Sequence, residues 1–256
     1  MNQQPTVKIP NFLIIGAQKC GTTSLYNYVM DHPQMTPATT KEVHFFDFNF
    51  AQGWDWYLQH FPAPVGGGNF ITGEASPYYL FHPLVPERVR ALLPEVKLIA
   101  LLRNPVDRAW SHYHHEVRWG FESLPFEEAM EAEAERLVGE VEKMRLDAHY
   151  YSYNHQHYTY LARGIYVEQL QRWMELFPRN QFLILKTEDL EANPEAVVSE
   201  TLRFLGLPEA QGGVKVRYNA GAYPQMSDRW RQKLGKYFRS HNQRLEEYLG
   251  LNFDWS

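Results

Sequence analysis

The segment that most limits the fold is Gly16-Ala17-Gln18-Lys19-Cys20-Gly21-Thr22-Thr23. It lies between a short apolar run, Asn11 to Ile15, and a stretch with helical spacing, Thr22 to Met30. An apolar run that ends in a glycine-framed turn and continues as an amphipathic segment predicts strand, loop and helix. In that setting the loop amides and the positive end of the helix dipole form an anion site, and the glycines let the backbone approach the anion closely. Gly16 and Gly21 have the spacing of a nucleotide-triphosphate loop, G-x-x-x-x-G-K-[ST], but Thr22 stands where its lysine belongs and Lys19 lies inside the loop. The pattern predicts a ligand that bears phosphate, while Mg²⁺-nucleotide binding loses its key side chain.

The rest of the chain continues the alternation. Phe70 to Thr72, Val96 to Leu102 and Gln181 to Leu185 read as strands, the second being a continuous apolar run of the kind buried in a parallel sheet. Between and after them helical spacing covers Pro86 to Leu93 and a segment opened by Pro105 with Val106, Ala109, Trp110, Tyr113 and Val117 on one face. Tyr166, Leu170, Trp173 and Phe177 mark another helix, Val198, Leu202 and Leu205 a further one, and the last runs from about Asp228 to Leu249 with Trp230, Leu234, Tyr237 and Leu245 inward. The pattern predicts an α/β layer fold with a central, mainly parallel sheet flanked by helices. Without a repeat or a linker, residues 1–256 read as a single domain. The stretch around 120–160 reads as an insertion beside a cleft. It holds eight glutamates and one basic residue, Arg136, between Glu122 and Glu142, with the acidic helix near Glu127 to Glu142 read as a solvated face, and then the segment His149 to Tyr160, rich in histidine and aromatics. That segment carries no carboxylate or cysteine at ligand spacing, so a polar, aromatic-walled cleft is preferred to a metal site.

Composition narrows the function. Cys20 is the only cysteine, which excludes an internal disulfide and a thiolate-rich metal centre and suits a reducing cytoplasm. No apolar run approaches the roughly 18 residues of a membrane span. A formal net charge of −5 argues against a broad nucleic-acid surface, so an anionic ligand needs a local site.

Three segments, FLIIGAQKCGTTSLYNYVMDHP, KEVHFFD (Lys41 to Asp47) and LLRNPVDRAWSHY (Leu101 to Tyr113), resemble the sulfotransferases that use 3′-phosphoadenosine 5′-phosphosulfate (PAPS). The likeness is to the heparan sulfate 3-O- and N-sulfotransferase type, as a compact bacterial-like member. It extends through GWDWYL, ITGEASPYYL, LARGIYVEQLQRWMELFP and the terminal FDW. The resemblance implies a P-loop-like α/β fold and sulfuryl transfer to a hydroxyl, with adenosine 3′,5′-bisphosphate as product and no metal. It places the 5′-phosphosulfate on Gln18, Lys19, Cys20, Gly21, Thr22, Thr23 and Ser24, with Lys19 on the bridging oxygen. Arg103 and Ser111 match the 3′-phosphate pair, and Arg217 stands in an altered late cofactor loop. Glu42 matches the catalytic glutamate. His44 is a second candidate base, and Asp47 either orients one of them or caps a helix. Lys41, Glu74, Arg163 and Tyr166 fall on the acceptor side, as does the insertion around 120–160, whose aromatic and histidine-rich segment would wall the acceptor cleft.

The chain departs from that type at Ala75, where the heparan enzymes carry a lysine. With the acidic balance, this disfavours a heparin-like polymer and leaves a neutral saccharide, a glycolipid or a hydroxylated acyl or polyketide chain as acceptor. The competing readings are a small-molecule kinase of the P-loop class and an inactive nucleotide- or carbohydrate-binding module.

Overall fold

The structure is a computed structural model and describes residues 8–61, 70–208 and 224–255. The chain divides into two compact units, one of Met1–Leu102 with Leu176–Asn219 and one of Arg103–Glu175 with Ala220–Ser256. All five strands belong to the first unit: β1 (Phe12–Gly16), β2 (Met35–Pro37), β3 (Ile71–Glu74), β4 (Lys97–Leu102) and β5 (Phe182–Lys186). They form one sheet in the order β2-β3-β1-β4-β5, and every neighbouring pair is parallel. The helices in chain order are α1 (Thr22–Met30), α2 (Trp54–Leu58), α3 (Val85–Leu92), α4 (Pro105–Arg118), α5 (Phe126–Arg136), α6 (Glu140–Leu146), α7 (Tyr153–His157), α8 (Tyr166–Met174), α9 (Thr187–Ala192), α10 (Pro194–Leu205) and α11 (Asp228–Leu249).

A parallel sheet covered on both faces needs strands that are apolar on both faces. Every residue of β1 is buried, as are all of β4 but Lys97. β1 pairs with β3 at Phe12 opposite Gly73, where a Cβ would stand 2.3 Å from the Phe12 carbonyl, so only glycine permits this approach. β2 is three residues long and gives no periodic signal, which is why the sequence does not announce it. α1 packs beside β1 and β2, and α10 packs against α1 and β5. Asn193 caps α10 through its side chain, with Pro194 next, and Gly206 closes it in the left-handed region at φ 82.

The second unit is helical. Asn104 accepts from the Val106 amide and Pro105 follows, so α4 starts where the sequence places it. α11 packs on α4 and α8 with Trp230, Leu234 and Phe238 buried. Tyr237, expected inward, is 42% exposed, because the inward stripe passes through its neighbour Phe238. Val117, expected on the buried face of α4, is likewise exposed. The acidic stretch is also not a uniformly solvated face. Glu122, Glu133 and Glu140 are buried, and each has specific donors. Glu133 accepts from the Leu161 and Ala162 amides, and Glu122 pairs with Arg136 at 2.5 Å. Among the described residues no helix is long and apolar enough to cross a membrane.

Candidate active site

The chain runs from β1 to β2 and β3 on one side of the sheet and then to β4 and β5 on the other, so the change of direction falls between β1 and β4. Ligands of open α/β sheets bind at the carboxyl ends of the strands at such a point. The glycine loop occupies it, joining the end of β1 to the start of α1. Two contacts pin it to β4: the Ala17 amide donates to the Leu101 carbonyl at 2.8 Å, and Thr187 Oγ1 donates to the carbonyls of both Cys20 (2.7 Å) and Leu102 (3.0 Å). Thr187 carries no motif, and its part appears only once β5 is placed beside β4.

Within the loop, Lys19 at φ 69 and Gly21 at φ 86 are left-handed, the kind of turn that gathers successive amides into an anion-binding concavity. α1 follows with no side-chain cap and no acidic residue in its first turn. The first amides of a helix lack intrahelical acceptors, and that end of a helix favours an anion. Cys20, Thr22 and Ser24 are buried, which makes their backbone the part suited to an anion.

The segment Lys41 to Asp47 is irregular backbone held next to this loop. Lys41 Nζ donates to Thr23 Oγ1 at 2.9 Å and pairs with Glu42 Oε1 at 2.6 Å. His44 Nε2 meets Glu42 Oε2 at 3.2 Å, and His44 Nδ1 meets Asp47 Oδ2 at 2.7 Å. A line of alternating charge thus runs from the loop through Lys41, Glu42 and His44 to Asp47. Asp47 contacts His44 with one oxygen, and its other oxygen accepts from the Phe48 amide at 2.7 Å. Burial alone would raise the Glu42 carboxyl, but the hydrogen bond from His44 and the charge of Lys41 overcome it and hold the group at about 2. Burial would lower the His44 imidazole, yet its hydrogen bonds to Asp47 and Glu42 hold it at about 10. At neutral pH, therefore, Glu42 is a carboxylate and His44 an imidazolium.

This segment is fixed from behind by Glu74, at the end of β3. Glu74, expected on the acceptor side, is fully buried and accepts four hydrogen bonds from the chain: Val43 N at 3.0 Å and Ser76 Oγ at 2.6 Å on one oxygen, Tyr57 and Tyr79 Oη at 2.9 Å each on the other. Its role is to hold the backbone that carries Glu42 and His44, since no face of it remains for an acceptor. Burial pushes its carboxyl up to about 7 against the pull of those four donors. Tyr79 Oη also accepts from the Phe45 amide at 2.8 Å, Ser76 Oγ from the His44 amide at 3.1 Å, and Arg88 donates to the Phe46 carbonyl at 2.6 Å. His44 is itself left-handed at φ 52, a cost that these bonds offset. The basic position missing at Ala75 lies beside Lys41, because the Ala75 amide donates to the Lys41 carbonyl at 2.9 Å.

Four expected site residues belong to the second unit. Arg103 directly follows β4 in the chain, and its carbonyl accepts from Tyr166 Oη at 2.9 Å. Tyr166, expected to touch the acceptor, is buried, and its hydroxyl fixes the Arg103 backbone instead. Arg163, also expected on the acceptor side, is buried with Nη2 on the carbonyls of His155 (3.1 Å) and Gln156 (2.8 Å). Ser111 is a buried residue of α4. Arg217 lies outside the described residues. The histidine segment is partly interior: His155 and His157 are buried, and His157 Nδ1 meets Glu116 Oε2 at 2.7 Å, with His112 on the other oxygen at 3.1 Å. The carboxylate partner missing from the local sequence comes from α4.

An anion-holding loop at the switch point of a parallel sheet, with an ionised carboxylate one lysine away, defines a group-transfer enzyme of P-loop-like fold. Residues 10–255 match the sulfotransferase domain family, and the chain belongs to that family. It is 29% identical to the membrane-associated sulfotransferase kil1 of Dictyostelium discoideum over 96% of this chain and 66% of that protein. It is 31% identical to the human bifunctional heparan sulfate N-deacetylase/N-sulfotransferase 2 over 94% of this chain and 30% of that protein. The chain therefore spans about two thirds of the first relative's length and under a third of the second's. A crystal structure of a sulfotransferase from Alicyclobacillus acidocaldarius, 31% identical, superposes with a TM-score of 0.75 over 97% of this chain and 99% of that one.

Proposed function

We propose that this sulfotransferase moves a sulfuryl group from PAPS to an acceptor hydroxyl by in-line displacement, releasing adenosine 3′,5′-bisphosphate, with Glu42 as general base. The observation that carries the reading is the Lys41 bridge, which joins Thr23 of the anion loop to the Glu42 carboxylate. The donor fits the residues present. Its 5′-phosphosulfate suits the loop amides, the uncapped start of α1 and Lys19, and the sulfate it supplies is already activated as a mixed anhydride. In such a reaction the protein's work is positioning and charge stabilisation, with little covalent chemistry. Lys19 and the loop amides would hold the charge that gathers on the leaving phosphate, while Arg103 and Ser111 would take the 3′-phosphate.

His44 sits between two carboxylates as an imidazolium, so it has no lone pair for a proton. This favours Glu42 as the acceptor of the proton and gives His44 and Asp47 the task of orienting it. A carboxylate this acidic takes the proton only as the hydroxyl is already bonding to sulfur, so the two events are concerted. The acceptor in this reading is a small molecule or a saccharide, glycolipid, acyl or polyketide chain bearing a hydroxyl, met in the cytoplasm. The heparan sulfate in one relative's name is disfavoured by Ala75 and the net charge of −5.

Titration calorimetry tests the donor. Adenosine 3′,5′-bisphosphate should bind in the nanomolar to micromolar range without Mg²⁺, and ATP weakly. Tight binding of Mg²⁺-ATP with no binding of the bisphosphate would overturn the reading in favour of a kinase.

A further inference from the structure

Lys41 touches both the loop and the candidate base, and its two contacts are of different kinds. Toward the loop it donates to a neutral hydroxyl, Thr23 Oγ1, and toward the base it pairs with a full charge, Glu42 Oε1. Its side chain is 21% exposed and that of Glu42 is 37% exposed, so neither is sealed from a ligand. Glu42 faces two charges, Lys41 and His44. Behind His44 stands Asp47, whose carbonyl accepts from Arg88 at 3.2 Å, and behind Val43 stands the buried Glu74.

Resting on the function proposed above, we infer that Lys41 is a positioning residue that couples the two ends of the reaction. Its ammonium is shared between Glu42 and the anion seated in the loop, and shifts toward the loop when Glu42 takes up a proton. The balance of the step requires such a group. The acceptor O–H bond breaks and its proton goes to Glu42. A bond forms between the acceptor oxygen and sulfur, the sulfur bond to the bridging oxygen breaks, and that electron pair stays on the phosphate. One negative charge disappears from Glu42 as one appears at the loop. A cation within reach of both is released by the first event to stabilise the second. Before the reaction the same cation keeps Glu42 ionised, and an anion entering the loop competes for it, so by linkage donor binding must raise the proton affinity of Glu42.

The experiment uses the whole chain, with Lys41→Met, Lys41→Arg and wild type, and adenosine 3′,5′-bisphosphate as the probe of the loop. Carbon-13 NMR follows the Glu42 carboxyl down to about pH 3.5, where an ordinary glutamate is mostly protonated. In the wild type without nucleotide the signal should not move, and with nucleotide it should begin to titrate inside the window. In Lys41→Met it should titrate there in both states. With labelled PAPS and an acceptor found by screening, Lys41→Met should lower kcat about 10²-fold. The KM for the donor should change far less, and Lys41→Arg should recover most of the loss. A lysine that merely binds donor would raise KM and leave kcat alone. Nucleotide binding that leaves Glu42 titration unchanged, or a wild-type kcat in Lys41→Met, would overturn the inference while the proposed function stands. Failure of the wild type to bind the nucleotide at all would overturn both.

Discussion

Glu74 offers a prediction that depends on burial alone. Its carboxyl is held at about 7 against an ordinary 4.5, because desolvation outweighs four hydrogen bonds. Between those two values the unfolded chain has released a proton that the folded chain still holds. The stability contributed by protonated Glu74 is therefore complete below about pH 4.5 and is lost as pH rises through 7. At about 1.4 kcal/mol per pH unit the full loss is about 3.5 kcal/mol. Glu74→Gln isolates it, since glutamine cannot ionise. The substitution has its own fixed cost. Tyr79 Oη already accepts from Phe45 and Phe46, so it cannot also accept from the new amide, and one bond, worth about 1 kcal/mol, is lost at every pH. Urea unfolding followed by tryptophan emission at pH 5, 6, 7 and 8 should show the wild type more stable at pH 5 and the variant gaining on it by about 3 kcal/mol by pH 8. Curves that stay parallel across this range would refute the reasoning and place Glu74 in a hydrated setting.

Two further substitutions separate the loop's charge from its shape. Lys19→Gly keeps the left-handed backbone of Lys19 at φ 69, which glycine adopts without strain, and removes the ammonium. Initial rates with labelled PAPS should fall about 10²- to 10³-fold with no loss of thermal midpoint, and a wild-type rate would remove Lys19 from the chemistry. Thr187→Val deletes the hydroxyl that holds the Cys20 and Leu102 carbonyls. Two buried acceptors then lose a donor at a cost of about 1–3 kcal/mol. The melting midpoint should drop by about 3–8 °C, with weaker binding of adenosine 3′,5′-bisphosphate, and an unchanged midpoint would show that the hydroxyl does not secure the loop.

The loop was legible because three signals agree there: an apolar run, glycines at a fixed spacing and helical periodicity resuming at Thr22. The described strands fall within a residue or two of the apolar runs that announced them, apart from the short β2, which no run announced. What the sequence hid is mostly pairing at a distance. Glu74 is an acidic residue near a proline and two tyrosines, and its burial depends on Tyr57, 17 positions upstream. Glu116 meets His157 across 41 residues, which local ligand spacing cannot reveal. Asp47 could be given two roles in sequence because a carboxylate three residues from a histidine suits either a cap or a pair, and in the fold one oxygen meets His44 while the other accepts from the Phe48 amide. Lys41 falls on the acceptor side by resemblance alone, and its hydrogen bond to Thr23 spans 18 residues that only the fold brings together.

The central claim is that the carboxylate beside the loop accepts the proton while the loop holds the donor. Label transfer from PAPS by the wild type and by Glu42→Gln, measured beside the affinity of each for adenosine 3′,5′-bisphosphate, tests it directly. Removing a general base should cost about 10²–10⁴-fold in transfer and leave nucleotide affinity within a few-fold of the wild type. Undiminished transfer by Glu42→Gln would contradict the account.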